Sequence, residues 1–153
     1  MVKNKNAKRK HFVGPYDKEN PTVAPLADAY MWLAKGITES APNNDEETDD
    51  SAYFDGDGTP TTNVISKKRG RTFEGEREIG DKAQDFIAEL EDKLGEDLYV
   101  WYKEVTPDGR TQYEGVATVS GIEIGDGEAS EYESFKCDIT WNSIPKKSQV
   151  VPG

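Results

Sequence analysis

The feature that most constrains this chain is a strict alternation near its C-terminus. Between Glu131 and Asn142, Phe135, Cys137, Ile139 and Trp141 share one parity, while Lys136, Asp138 and Thr140 share the other. A period of two puts one set of side chains on each face of a β-strand, and an apolar face of this kind demands a covering layer. Two preceding segments answer the demand. Leu98 to Thr106 is rich in Tyr, Trp and Val, and Thr111 to Ile124 carries Val116, Thr118, Ile122 and Ile124 on one parity. Pro107-Asp108-Gly109 and Gly125-Asp126-Gly127 are turn signals between them. The three segments predict an antiparallel meander. Upstream, Tyr30 to Ser40 and Thr61 to Glu78 are predicted strands, the second bent near Gly70 or Gly75, and Arg9 to Tyr16 is a weaker one.

One helix is predicted. Asp81 is a suitable N-cap with Gln84 three residues on, and Ala83, Phe86, Ile87, Leu90 and Leu94 form an apolar stripe at helical spacing, followed by Gly95. The expected fold is therefore mainly β: two packed antiparallel sheets, a sandwich or open barrel, with one flanking helix. The expected organisation is a flexible basic arm over 1–10, a single domain over 11–144 with a long acidic loop at about 39–60, and a C-terminal arm over 145–153.

Composition narrows the function classes. With 19 basic and 30 acidic residues the formal charge is −11, which argues against a general nucleic-acid binder, since such proteins cluster Lys and Arg against phosphates. One cysteine, Cys137, excludes an intrachain disulfide framework, and one histidine, His11, argues against His-based triads and multi-His metal sites. The longest apolar run, Ala29 to Ala34, is too short to cross a membrane as a helix. The charge is not evenly spread: residues 1–10 hold five bases and no acid, whereas residues 39–57 hold eight acids and no base.

No pattern of catalytic residues stands out, and no cofactor is implied. Asp55-Gly56-Asp57-Gly58 opens like a calcium loop, but the sixth position is Pro60 and the twelfth Ser66, so the EF-hand pattern fails and Asp55 and Asp57 are at most weak metal candidates. Cys137 lies on the apolar parity and is read as a core residue, and His11 as a partly buried strand residue. Trp32, Trp101 and Trp141 could line a sugar platform, although tryptophans in strands are more often core or interface. Lys67, Lys68, Arg69 and Arg71 form the one internal basic cluster. By elimination the chain reads as a structural or interaction protein and not an enzyme.

The order of features carries a resemblance. Tyr53, Asp55 and Gly56 are followed by Gly70, Glu74, Gly75 and Arg77, then by Asp81, Ala83, Gln84, Phe86 and Ile87 at the head of the helix, then by the meander ending in Asp138-Ile139-Thr140-Trp141-Asn142. This progression resembles the major tail proteins, or tail tube proteins, of long-tailed bacteriophages of the siphophage type. The resemblance implies a virion protein whose copies close into hexameric rings, which stack into the hollow tail tube through which DNA is ejected into the host. It implies synthesis in the bacterial cytoplasm, a final place in the virion tail, and partners among tape-measure, tail terminator and baseplate or tail-initiator proteins. Membrane association is not expected.

Charge distribution is consistent with self-assembly. A ring closes when one surface meets a different surface on the next copy. The acids Asp45, Glu46, Glu47, Asp49 and Asp50 and the bases Lys67, Lys68, Arg69 and Arg71 are the candidates for contacts between subunits or between rings. Glu123, Asp126, Glu128, Glu131 and Glu133 are candidates for an acidic lumen past which DNA slides without binding. The alternatives are a monomeric β-sandwich module binding carbohydrate or protein through Trp32 or Trp101, a tail terminator or adaptor, or a capsid decoration protein.

Overall fold

Alternation and turn chemistry decide most of the architecture. A computed structural model describes residues 1–150, so residues 151–153 of the expected C-terminal arm lie outside the described residues. In chain order it contains β1 (Lys10–Pro15), β2 (Met31–Trp32), β3 (Ile37–Pro42), β4 (Asp45–Ser51), β5 (Thr61–Lys68), β6 (Gly70–Glu76), α1 (Lys82–Ala88), β7 (Tyr99–Val105), β8 (Thr111–Ile124), β9 (Ser134–Trp141) and β10 (Lys146–Gln149). The meander forms as expected, with β8 between β7 and β9, all antiparallel.

The main sheet runs β2-β1-β7-β8-β9-β6-β3, with β10 added to β8 beyond the end of β9, and β4 and β5 pair apart from it as a second, small sheet. The main sheet curls back on itself. β1 and β6 are distant in strand order, yet the His11 ring on β1 meets the Phe73 ring on β6 edge-on at 4.9 Å. A register shift in β8 between Ser120 and Glu123 helps the bend, with Gly121 at a φ of +59°. The two packed layers predicted from sequence are thus opposite walls of one curled sheet, an open barrel with a helix beside it.

The core follows from parity. Val13, Val100, Tyr102, Ala117, Val119, Phe73, Phe135, Cys137, Ile139 and Trp141 point inward, and Leu33, Ala83 and Ile87 join them from the β2–β3 connection and the helix. Each large side chain fully buried here contributes roughly 1.5–3 kcal/mol relative to exposure.

Three of the residues that carry the family resemblance, Gly75, Asp81 and Gln84, work as a structural joint. Asp81 accepts a hydrogen bond from the Gln84 amide and so starts α1. The Gln84 side chain does not complete a capping box; it is fully buried, donates to the Lys35 and Glu76 carbonyls at 2.9 and 3.0 Å, and accepts from the Glu78 amide at 2.9 Å. It therefore ties the β2–β3 connection, the end of β6 and the helix together. Gly36 and Gly75 sit backbone to backbone at this joint; Gly36 has a φ of +79°, and a Cβ there would lie 2.6 Å from the Glu76 carbonyl.

Several expectations are corrected. The acidic segment is not one long loop: β3 and β4 occupy much of it, leaving the Asn43–Asn44 link and the tip between Ser51 and Thr61 as loop. Its acids lie along β4, one strand of an exposed hairpin, where pairing with β5 offsets the poor strand propensity of Asp and Glu. The strand expected over 30–40 is broken in two by the left-handed turn at Gly36, and that over 61–78 divides at Arg69, where the chain passes from the small sheet to the large one. Lys146–Gln149, within the expected C-terminal arm, form an edge strand. The helical stripe is right for Ala83, Phe86, Ile87 and Leu90, but Leu94 is exposed: α1 ends at Ala88, a few i→i+3 turns follow, and the backbone is already extended at Leu94.

Candidate assembly surfaces

The β4–β5 hairpin is unlike the rest of the subunit. Asp45 stands opposite Lys68, Glu46 opposite Lys67 and Asp50 opposite Thr62, and apart from Ser51 every residue of the two strands is exposed. Lys67 Nζ lies 3.7 Å from Glu46 Oε1, an exposed pair worth about 0–1 kcal/mol. Val64 and Ile65 on β5 and Tyr53 and Phe54 at the tip are exposed as well. A two-stranded hairpin with nothing packed on it is marginal in water, and this arm has no core of its own to stabilise it.

The basic cluster read from the sequence does not stay together. Lys67 and Lys68 ride on the hairpin beside their own acids. The Arg69 guanidinium lies over the rings of Tyr113 and Trp141, 4.5 and 5.6 Å from their centroids. Arg71 turns inward to Glu104. As inter-subunit candidates, Arg69 and Arg71 are therefore engaged within the subunit, because the chain enters the barrel at Gly70 and side-chain parity then carries Arg71 into the interior.

Arg71 belongs to a buried polar network that the sequence reading missed. Glu104, 2% exposed, accepts from Arg71 Nε and from Tyr102 Oη, and Arg9 Nη1 approaches it at 3.5 Å. His11 Nδ1 is 2.8 Å from Tyr102 Oη and 3.7 Å from Glu104 Oε1. The second approach is not an ion pair: burial first, then the charges of Arg71 and Arg9, hold the His11 pKa down to about 3, so the ring is neutral. Burial also raises the Tyr102 phenol well above its ordinary value. The signal was available in β7, where Glu104 continues the inward parity of Val100 and Tyr102. Next to this network a groove of about 430 Å³ opens between β2 and β3, the two ends of the sheet, with Trp32 and Ser40 on its sides.

The candidate lumen acids do converge. Glu123 is the penultimate residue of β8, and Asp126, Glu128, Glu131 and Glu133 all lie in the β8–β9 connection, all exposed. The nearest base in register is Lys136, opposite Glu123, and its Nζ points to Glu74 at 3.5 Å. Asp55 and Asp57 sit at the hairpin tip, where Asp57 accepts from the Thr59 amide, and no three metal-ligating side chains cluster among the described residues. Trp101 and Trp141 are buried, which removes Trp101 from the sugar-platform alternative and leaves Trp32 as the exposed tryptophan. Cys137 is buried and its thiol is pushed up to about 12 by desolvation, so it is inert core. No helix among the described residues is long and apolar enough to cross a membrane.

No protein-family model and no curated protein matches the sequence. Solved structures do match the fold. The tail of an empty gene transfer agent particle with C6 symmetry aligns at 12% identity, covering 97% of this chain and 100% of that one, with a TM-score of 0.67. The virion of a native gene transfer agent particle aligns at 11% identity, with 97% and 100% coverage and a TM-score of 0.66. The SPP1 tail tube aligns at 13% identity, covering 98% of this chain and 81% of that one, with a TM-score of 0.64. The chain therefore has the tail tube fold over nearly its whole length.

Proposed function

We propose that this chain is a tail tube protein, a structural virion component without catalysis. Six copies close a ring, and rings stack into a hollow tube that conducts DNA into the host. The observation that carries this reading is the match of fold over nearly the entire chain to tail structures, one of them of C6 symmetry, with no large insertion left to house a separate activity.

The surfaces of the subunit suit such an assembly. β2 and β3 end the main sheet with one edge unpaired, which leaves backbone donors and acceptors ready for a neighbour's strand. The exposed β4–β5 arm reaches beyond the barrel and gives each subunit a second, different surface, as a heterologous contact requires. Glu123, Asp126, Glu128, Glu131 and Glu133 would face the lumen and repel phosphate, within the roughly 8 Å over which salt permits such repulsion. Tape-measure, tail terminator and baseplate proteins would meet the tube at its inside and its ends, and the finished tube resides in the virion tail after synthesis in the host cytoplasm.

Sedimentation velocity over a concentration series tests the reading. The expected result is a transition from monomer to rings or longer species, weakened but not abolished by high salt. A species that remains monomeric up to millimolar concentration overturns it, and rings that never stack point to a terminator or adaptor instead. Reversal of the five lumen carboxylates to Lys should leave tubes intact and impede DNA passage; normal infectivity would remove those residues from the lumen.

A further inference from the structure

Two exposed features of the subunit are complementary. The tip of the β4–β5 hairpin, with the adjoining end of β4, carries Asp49, Asp50, Asp55 and Asp57, no base, and between them the exposed Tyr53 and the fully exposed Phe54. Among the described residues none of these four carboxylates makes an ion pair within the subunit. Elsewhere, the outer face of β1 and β7 holds a groove of about 520 Å³ with Phe12, Val105 and Pro107 in its wall and Lys8, Lys10 and Lys103 around it. Asp108 is the one acid at this groove, so three ammonium groups stand against one carboxylate in a chain whose net charge is −11. Two of the lysines are positioned by aromatic faces instead of acids: Lys103 Nζ lies 5.1 Å from the Phe12 ring centroid and 4.4 Å from that of Tyr30, and Lys10 Nζ lies 5.8 Å from that of Trp32. Their charges are left facing outward.

We propose that this groove receives the hairpin tip of a second copy of the chain, with Phe54 seated against Phe12, Val105 and Pro107 and the tip carboxylates on the lysine rim. The proposal rests on the self-assembly reading and identifies which surface the arm meets. It also replaces the pairing suggested by sequence order: Lys67 and Arg71 are ion-paired and Arg69 is stacked on rings within their own subunit, whereas Lys8, Lys10 and Lys103 make no ion pair among the described residues. An aromatic anchor ringed by matched charges gives both register and affinity, since the apolar contact supplies attraction and the charges exclude misplaced dockings. Tip and groove are different surfaces, so each copy can give one contact and receive another, and the chain of contacts propagates.

The test places the photoreactive residue benzoylphenylalanine at position 54 of the full chain, irradiates it at assembling concentrations, maps adducts by mass spectrometry and images the same sample by electron microscopy. Intermolecular adducts within residues 8–12 or 103–107 are expected. Tubes with adducts elsewhere overturn this docking and leave the tube reading standing. Adducts only within one chain overturn the docking, and if no assembly is seen either, both readings fall. Independently, Lys8→Glu with Lys10→Glu should raise the concentration needed for assembly by about tenfold or more, and adding Asp49→Lys with Asp50→Lys should restore it. Loss without restoration, in variants whose circular dichroism is unchanged, overturns the charge pairing.

Discussion

The barrel and the β4–β5 arm are made of the same kind of strand but stabilised in opposite ways. In the barrel, inward parity is filled by Phe, Tyr, Trp and aliphatic side chains that are almost wholly buried, and even its one buried carboxylate is surrounded by partners. In the arm no residue is buried, the charges lie along its strands, and its apolar side chains point to water. The barrel has a buried core of its own. The arm has none, and the proposed docking would make it one half of a contact. Substitutions should therefore separate the two regions: changes in the barrel should move stability, and changes in the arm should move assembly.

The largest effect is expected at Glu104. Glu104→Ala leaves Arg71 and Arg9 without their carboxylate in the interior, and breaking a buried pair from one side costs about 3–5 kcal/mol. Chemical denaturation should show that loss; a change below about 1 kcal/mol would mean that water already reaches the network. A pH dependence should follow from His11. Its folded pKa of about 3 lies below the unfolded value near 6.5, so between these values the unfolded chain binds the extra proton. Stability from this group is fully present above pH 6.5 and falls as pH drops toward 3, with a slope of up to about 1.4 kcal/mol per pH unit. In His11→Gln the slope between pH 5 and 6.5, above the main carboxylate range, should flatten; an unchanged slope would contradict a buried neutral ring.

Smaller effects follow. Gln84→Ala removes three hydrogen bonds at the joint of helix, β6 and the β2–β3 connection, and should cost about 1–3 kcal/mol in thermal or chemical melts. Val64→Ser with Ile65→Ser on the arm should change monomer stability by no more than about 0.5 kcal/mol, since neither side chain is buried, while reducing assembly measured by sedimentation. A marked loss of monomer stability in that variant would erase the distinction between barrel and arm.

The legible parts of the fold were those that local chemistry decides. The Phe135–Trp141 alternation, the Pro107–Gly109 turn and the Asp81 cap each act within a few residues, and the strands and helix start followed them. What could not be read depended on distant partners. An acidic run looks like a loop until β5 is placed beside it, and a basic cluster looks like one patch until the chain turns inward at Gly70 and separates Lys68 from Arg71. Beyond its parity, nothing local marks Glu104 as a buried charge, because the guanidiniums that satisfy it come from β6 and from the residue just before β1. The groove at Lys8, Lys10 and Lys103 joins residues far apart in sequence and left no local mark.

The central claim is the proposed one, that copies of this chain assemble into a tube. Negative-stain electron microscopy of the concentrated, purified full chain examines that claim most directly. The account predicts hollow filaments of stacked rings, absent from the variant with Val64→Ser and Ile65→Ser under the same conditions. Featureless monomers at millimolar concentration after long incubation, in wild type and variant alike, would contradict it.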